Sequence, residues 1–381
     1  MADILKEIQK VLPEGKVSDA AFEGANIVLY TKDKEYFLDN KGTILKAVKE
    51  FKKRIELRPD PSMCMEMEKA EKEIKKLISD EAGIQQFIFD PPRSQVIIHA
   101  DKPGLVIGKQ GEFLRLISGK TFWVPHVKRV PPMRSKLIES IRSVLYENAD
   151  YRKKFLDKTG HRIYDGWIRE KKHEWVRLSC LGASRQVGRT CFLLQTPESR
   201  ILIDCGIDPS EDGTESYPYL DAPEFNVSDI DAIIVTHSHL DHSGLVPYLF
   251  KFGYRGPVYC TLPTRDVMSL LQLDMVKIQR NEGKEPIYNS EEVRQTVLHT
   301  ICLEYDEVAD ITPDIRITFY NAGHILGSSI VHFNIGNGLH NFAYTGDLKY
   351  GRTNVLEAAN TQFPRLETLM IESTYGGKDN V

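Results

Sequence analysis

The chain has 381 residues, enough for two or three domains, and its 41% hydrophobic and 27% charged residues give an ordinary globular balance that argues against a disordered or fibrous protein. No apolar run reaches the roughly 18 residues of a membrane span, and Met1–Lys6 lacks a signal-peptide pattern, so a membrane-embedded or secreted class is not indicated. The net charge of −4 hides an asymmetry: residues 91–175 hold 18 Lys and Arg against 9 Asp and Glu, whereas residues 176–381 hold 16 against 27. A local basic excess suits a polyanion partner; solvated helix faces carry the same residues, and charge alone does not decide between the two. The six cysteines (Cys64, Cys180, Cys191, Cys205, Cys260, Cys302) show no CxxC pair and read as buried free thiols in a reducing, cytoplasmic compartment.

Residues 1–60 read as a small α/β unit. Ala25–Tyr30 is a strand, Lys32–Lys34 a turn, and Glu35–Leu38 a short strand or a helix entry. Thr43–Lys53 is helical, with Ile44, Leu45, Val48 and Phe51 at three- and four-residue steps, and Arg54–Arg58 alternates like a strand. Arg58-Pro59-Asp60-Pro61 is a proline-rich break. A second unit, residues 61–133, repeats the order: a charged helix over Cys64–Ile78, strands at Gln86–Phe89 and Gln95–His99, a helix resuming at Phe113, and a closing strand at Trp123–Val127. The two units read as diverged copies of one small fold. Residues 134–172 are a basic helical connector with apolar Leu137, Ile141, Val144 and Leu145. From residue 173 to 381, strand patterns (Trp175–Leu178, Cys191–Leu194, Ile201–Ile203, Ala232–Val235) alternate with loops and helices, as in a hydrolase-sized α/β domain.

Two stretches carry chemistry. Gly108-Lys109-Gln110-Gly111 lies between helical segments, where two glycines let backbone N–H groups and Lys109 approach a phosphate. A bare GxxG is also a common turn; the strands and helix around it and the basic excess favour the binding reading. Thr236-His237-Ser238-His239-Leu240-Asp241-His242 follows an apolar strand. Three imidazoles and a carboxylate within six residues suit Zn²⁺: His237 and His239 can face one ion while Asp241 and His242 face its neighbour. A polar surface loop is the competing reading.

The GxxG stretch resembles a type II KH domain, an RNA-gripping module. Residues 1–60 resemble a degenerate KH domain whose counterpart loop, Asp39–Gly42, lacks the first glycine. HxHxDH is the signature of the metallo-β-lactamase superfamily, which implies an αββα domain and two zinc ions. The resemblance continues at Asp204 in Ile203-Asp204-Cys205-Gly206, expected to hold a ligand histidine in position, and at His324, expected to complete the His237/His239 ion. It continues at Asp347, expected to bridge both ions. Ile371-Glu372-Ser373-Thr374-Tyr375-Gly376 resembles the motif that opens the cap of the β-CASP nucleases and adds Glu372 to Asp204, Asp241 and Asp347 as catalytic candidates. KH units ahead of such a core resemble the archaeal relatives of the cleavage and polyadenylation specificity factor nuclease subunit. That resemblance implies zinc-dependent cleavage of single-stranded RNA, a role in 3′-end formation and transcription termination, contact with the transcription machinery, no membrane, and a homodimer.

No histidine follows His340, so the last ligand of the Asp241/His242/Asp347 ion that the family uses has no counterpart here. On that ground the chain is expected to be the N-terminal portion of such a nuclease, truncated near the start of the β-CASP insertion. Alone it is expected to bind RNA with little cleavage. A small-molecule (thio)ester hydrolase, a DNA nuclease and a non-catalytic RNA-binding subunit remain as alternatives.

Overall fold

The computed structural model describes residues 4–40, 42–131, 134–164, 175–211, 213–374 and 376–377. Lys41, the connector beyond residue 164 and Tyr375 lie outside them. The chain divides into two compact units, residues 1–161 and 162–381.

The first unit repeats one topology twice. The first copy runs α1 (Ile4–Val11), β1 (Asp19–Glu23), β2 (Asn26–Thr31), α2 (Lys34–Leu38), α3 (Thr43–Phe51) and β3 (Ile55–Pro59). The second runs α4 (Met67–Leu77), β4 (Ile84–Asp90), β5 (Gln95–Ala100), α5 (Pro103–Ile107), α6 (Glu112–Thr121) and β6 (Val124–Arg129). In each, the first two strands pair antiparallel and the third pairs parallel to the second. The ambiguous Glu35–Leu38 segment is helical because Asp33 caps it, its side chain accepting from the Tyr36 N–H. Pro59 does not break the chain as its sequence suggests. It ends β3, an edge strand, where it pairs opposite Thr31 and no ladder donor is missed; the break falls at Pro61–Met63. The charged helix begins at Met67 rather than Cys64.

The basic stretch is more than a connector. It forms two helices, α7 (Lys136–Glu147) and α8 (Ala149–Tyr164), parted at Asn148. Leu137 is exposed rather than packed. α8 lies against the first copy's sheet: Asp157 accepts from the Phe22 N–H, the Gly24 N–H donates to the Leu156 carbonyl, and Lys153 sits 4.8 Å over the Tyr30 ring. Lys153 also donates to the Pro92 carbonyl in the second copy at 2.7 Å. Covered on both faces, Ile27, Val28, Leu29 and Tyr30 are all buried, which explains their unbroken apolar run.

The second unit is a sandwich of two sheets. β7 (Arg177–Cys180), β8 (Phe192–Gln195), β9 (Arg200–Ile203), β10 (Ala232–Ile234), β11 (Val258–Cys260) and β12 (Thr300–Cys302) form a six-stranded sheet in the order β12-β11-β10-β9-β8-β7. β13 (Val308–Asp310), β14 (Ile315–Asn321), β15 (Ser329–Ile335), β16 (His340–Tyr344) and β17 (Thr368–Met370) form the other in sequence order. Ile201, Ile203 and Ile234 face Ile317, Phe319, Val331 and Phe333 between the sheets. On the far side of the six-stranded sheet, Leu202, Ile233, Val235 and Val258 meet α10 (Val246–Lys251), α11 (Leu262–Asn281) and α12 (Ser290–His299). Among the described residues the outer face of the five-stranded sheet is covered by irregular chain carrying Leu348, Phe363 and Leu366. The result is the α/β class read from the sequence, with two small α+β modules ahead of a metallo-β-lactamase-type sandwich. Of the cysteines, Cys191, Cys205 and Cys260 are buried and Cys64 and Cys302 half-buried; Cys180 is exposed, at the end of edge strand β7, so the burial expected for it does not hold. No described helix is long and apolar enough to cross a membrane.

Candidate functional site

Three separate segments of the sandwich bring the expected ligands together. β10 ends at Ile234 and delivers Thr236–His242 at its carboxyl end; the short helix α9 (Leu240–Ser243) carries Asp241 and His242. His324 follows β14 and Asp347 follows β16. His237 Nε2 and His324 Nε2 each lie 3.2 Å from His239 Nδ1, and Asp347 Oδ2 lies 3.8 Å from His237 Nε2 and 3.6 Å from His324 Nε2. These four side chains place one ligand atom each within 4.8 Å of one another. Donors about 2.05 Å from a tetrahedral Zn²⁺ sit about 3.3 Å apart, so the set fits such an ion. Unprotonated ring nitrogens facing at 3.2 Å would otherwise repel.

A second set adjoins the first. Asp347 Oδ1 lies 3.3 Å from His242 Nε2, which in turn lies 3.8 Å from Asp241 Oδ2. Asp347 thus turns one oxygen toward each set, the arrangement expected of a bridging carboxylate.

Asp204 lies behind His242 and is fully buried. Its carboxylate accepts from the Thr236 N–H, the Thr236 hydroxyl and His242 Nδ1, each at 2.8 Å. It does not face the cleft; it fixes the His242 ring so that Nε2 points forward. Asp204 has φ +56°, a left-handed conformation that aspartate tolerates better than most residues. Gly206 then passes so close to the histidine loop that a Cβ there would lie 1.7 Å from the Asp241 carbonyl oxygen.

Electrostatics follow from this packing. Burial and the neighbouring imidazoles hold His237 well below its ordinary pKa, keeping it a neutral donor. Burial also lowers His324. For His242, burial opposes the charge, but Asp204 and Asp347 outweigh it and raise the ring to about 10 in the ion-free chain. Burial pushes the Asp347 carboxyl up, yet His242 and the other imidazoles bring it below the usual range.

The second donor set and the shared Asp347 open onto a cleft of about 440 Å³, which Asp241, His242 and Asp347 line together with Glu372 and residues 183–188. Glu372 is half-buried; its N–H donates to the Thr345 hydroxyl and its carboxylate accepts from the Thr374 N–H. It lines the cleft beside the donor sets and belongs to neither of them.

The GxxG loop lies in the first unit, between α5 and α6. Gly108 has φ +73°, and a Cβ there would lie 2.5 Å from the Phe113 ring. Gln110 and Gly111 also have positive φ, and Lys109 and Gln110 are exposed. Leu105, Ile107 and Leu116, on the flanking helices, are exposed apolar side chains beside the loop. In the first copy the counterpart region is a packing surface: Phe37 lies 6.2 Å from Phe122, and Leu38 lies 3.4 Å from the Cβ position of Gly119. Two positioning features escaped the sequence reading: the buried Arg189 beside the cleft and the Thr261/Thr264 pair that holds the His324 loop. Neither belongs to a local run of metal-ligand residue types, so no sequence signal marks them.

This fold and donor set define a metal-dependent hydrolase type of domain. Residues 193–374 match the metallo-β-lactamase superfamily domain, and residues 1–64 match the KH domain of the transcription termination factor FttA, so the chain joins a KH domain to a metallo-β-lactamase domain. It has archaeal homologues of high identity. It is 50% identical over 99% of its length to the transcription termination factor FttA of Thermococcus kodakarensis, covering 60% of that protein. It is 48% identical over its whole length to the FttA of Methanothermobacter thermautotrophicus, covering 60%, and 42% identical over 97% to that of Lokiarchaeum sp., covering 58%. The chain therefore spans about 60% of the length of the curated relatives it matches.

Proposed function

We propose that this chain is the metal-binding and RNA-binding part of a zinc-dependent ribonuclease that acts in RNA 3′-end processing and transcription termination. The observation that carries the reading is the paired donor set: His237, His239 and His324 around one position, Asp241 and His242 around a second, and Asp347 turned toward both. Two zinc ions bound there would supply Lewis-acid polarisation and a water of lowered pKa. Asp347 would orient that water and accept its proton, and Asp204 holds His242 in register through Nδ1. Glu372 is suited to contact substrate from the cleft wall, while Gly108–Gly111 grips the backbone of single-stranded RNA. The KH match and the names of the relatives favour RNA over DNA or a small ester, and a setting beside the transcription machinery. A homodimer of the whole protein belongs to the same proposal.

The test measures zinc content and cleavage of single-stranded RNA for this chain, His239→Ala and Asp241→Ala. Zinc at the donor sets and RNA binding with little cleavage are expected of this chain alone, and metal-dependent cleavage that both substitutions abolish is expected of the full-length protein. Stoichiometric zinc with hydrolysis of DNA or thioesters in place of RNA would overturn the substrate assignment. Absence of zinc at saturating metal would overturn the metal assignment.

A further inference from the structure

The cleft has an acidic floor, with Asp241, Asp347 and Glu372 among its lining residues, and among the described residues that line it one permanent cation, Arg185. Arg185 stands on a loop of unusual backbone. Ala183 (φ +59°), Arg185 (+61°) and Arg189 (+41°) all adopt left-handed conformations that side-chain-bearing residues rarely take, and Gly188 lies between them at +94°. Three such residues within seven persist only where surrounding contacts over-determine the chain.

Those contacts are present. The buried Arg189 guanidinium donates to the Tyr217 carbonyl at 3.1 Å, to the Gln186 side-chain oxygen at 3.2 Å and to the Tyr219 hydroxyl at 3.3 Å, and it stacks 4.8 Å from the Tyr219 ring. Next along the chain, the Thr190 N–H donates to the Asp241 carbonyl at 2.8 Å, tying the loop to the metal-ligand loop itself. The outcome is a contrast between two arginines four residues apart. Arg189 is used up in bracing. Arg185 is exposed, and its guanidinium has no hydrogen-bond or ion-pair partner among the described residues. An idle surface cation does not require a strained, braced backbone to carry it.

We infer that Arg185 grips a phosphate of the bound strand at the mouth of the metal cleft, on the phosphodiester next to the one positioned over the donor sets. A guanidinium offers a planar fork of donors that matches two phosphate oxygens, and it remains charged at any working pH. A flanking phosphate is the needed complement, because the acidic floor otherwise repels a polyanion. This contact reads the backbone and not the base, so it holds the strand without choosing a sequence. The inference rests on the ribonuclease reading and adds a positioning residue to it.

The test uses the zinc-loaded full chain with a short oligouridylate carrying 4-thiouridine, photocrosslinked and mapped by mass spectrometry. The wild-type chain, Arg185→Ala, Arg185→Glu and Arg185→Lys are compared, with Lys109→Ala as the control in the KH loop. Crosslinks on residues 183–189 are expected in the wild type, lost in Arg185→Glu and restored in part by Arg185→Lys, while crosslinks on residues 103–116 persist. The plot of log affinity against log salt should flatten by about 0.7 in Arg185→Ala, the increment of one phosphate contact to a single strand. Crosslinks confined to residues 103–116, or an unchanged salt slope in Arg185→Ala, would overturn the inference and leave RNA binding standing. No crosslink anywhere would overturn the RNA reading together with it.

Discussion

Asp204 holds three donors with two oxygens, and two of those donors belong to the residue that opens the histidine loop. In Asp204→Asn the shape is retained, but an amide NH2 replaces one acceptor and faces a donor. A buried donor left without its acceptor costs about 1–3 kcal/mol, so urea denaturation should show a loss of that order. Residues that orient a metal-ligating histidine typically contribute roughly 10–100-fold to affinity, so zinc competition against a chelating dye should show the second ion weakened and the first retained. Equal weakening of both ions would mean that Asp204 serves the whole loop and not His242 in particular. At this scale the sequence was legible where ligand types crowd together. His237, His239, Asp241 and His242 lie within six residues, and the structure groups them with His324 and Asp347 in two adjoining sets. What the sequence leaves hidden is which atom faces which. The bridging place of Asp347 is implied by the family resemblance, but which of its oxygens faces His242 and which faces His237 follows only once β10 and β16 stand in different sheets.

Elements were legible where apolar periodicity marks them, as in α3 and α6, and poorly legible where burial comes from a distant partner. α8 reads as a connector because its apolar content is low, yet it covers a sheet built more than a hundred residues earlier in the chain. The start of α11 shows the same distance effect. Thr261 caps the helix by accepting from the Thr264 N–H, a local role that a sequence can suggest. Thr261 and Thr264 also both donate to the Gly327 carbonyl, at 2.7 and 2.9 Å, and so anchor the loop that carries His324. Thr261→Val keeps the shape and removes both functions. Loss of the cap should cost about 0.5–2 kcal/mol in chemical denaturation. The freed His324 loop should also release zinc faster to a competing chelator. If stability falls as stated while zinc release is unchanged, the pair is a cap only and does not position His324.

Over the whole molecule, the two units are held by different physics. The second is a two-sided sandwich with extensive apolar layers, so its site depends on segments separated by more than a hundred residues in sequence. The first consists of two small modules, and small cores bury proportionally little surface. There, charge helps to join the copies. Arg58, at the end of β3, is buried with Glu23 at 2.6 Å and Glu56 at 2.7 Å, and its Nη1 also reaches the Arg93 carbonyl at 3.4 Å. Arg93 in turn pairs with the buried Asp90 and lies 3.8 Å from Glu23. Burial pushes the Glu23 carboxyl up, but the two guanidinium groups outweigh it and hold it below its ordinary value of 4.5. A carboxyl with a depressed folded pKa stabilises the fold fully above its unfolded value and loses that contribution as pH falls through the folded one. The first unit should therefore weaken below about pH 4.5. Glu23→Gln removes the charge, leaves Arg58 with Glu56 as its remaining carboxylate partner, and should cost about 3 kcal/mol near neutral pH. It should also flatten the acid limb, because the titrating group is gone. Hydrogen exchange at the β1 and β2 amides, followed from pH 7 to pH 3 in both forms, reads the effect within this unit. Parallel acid limbs in the two forms would show that another carboxylate governs the unit, with Asp90 the next to substitute.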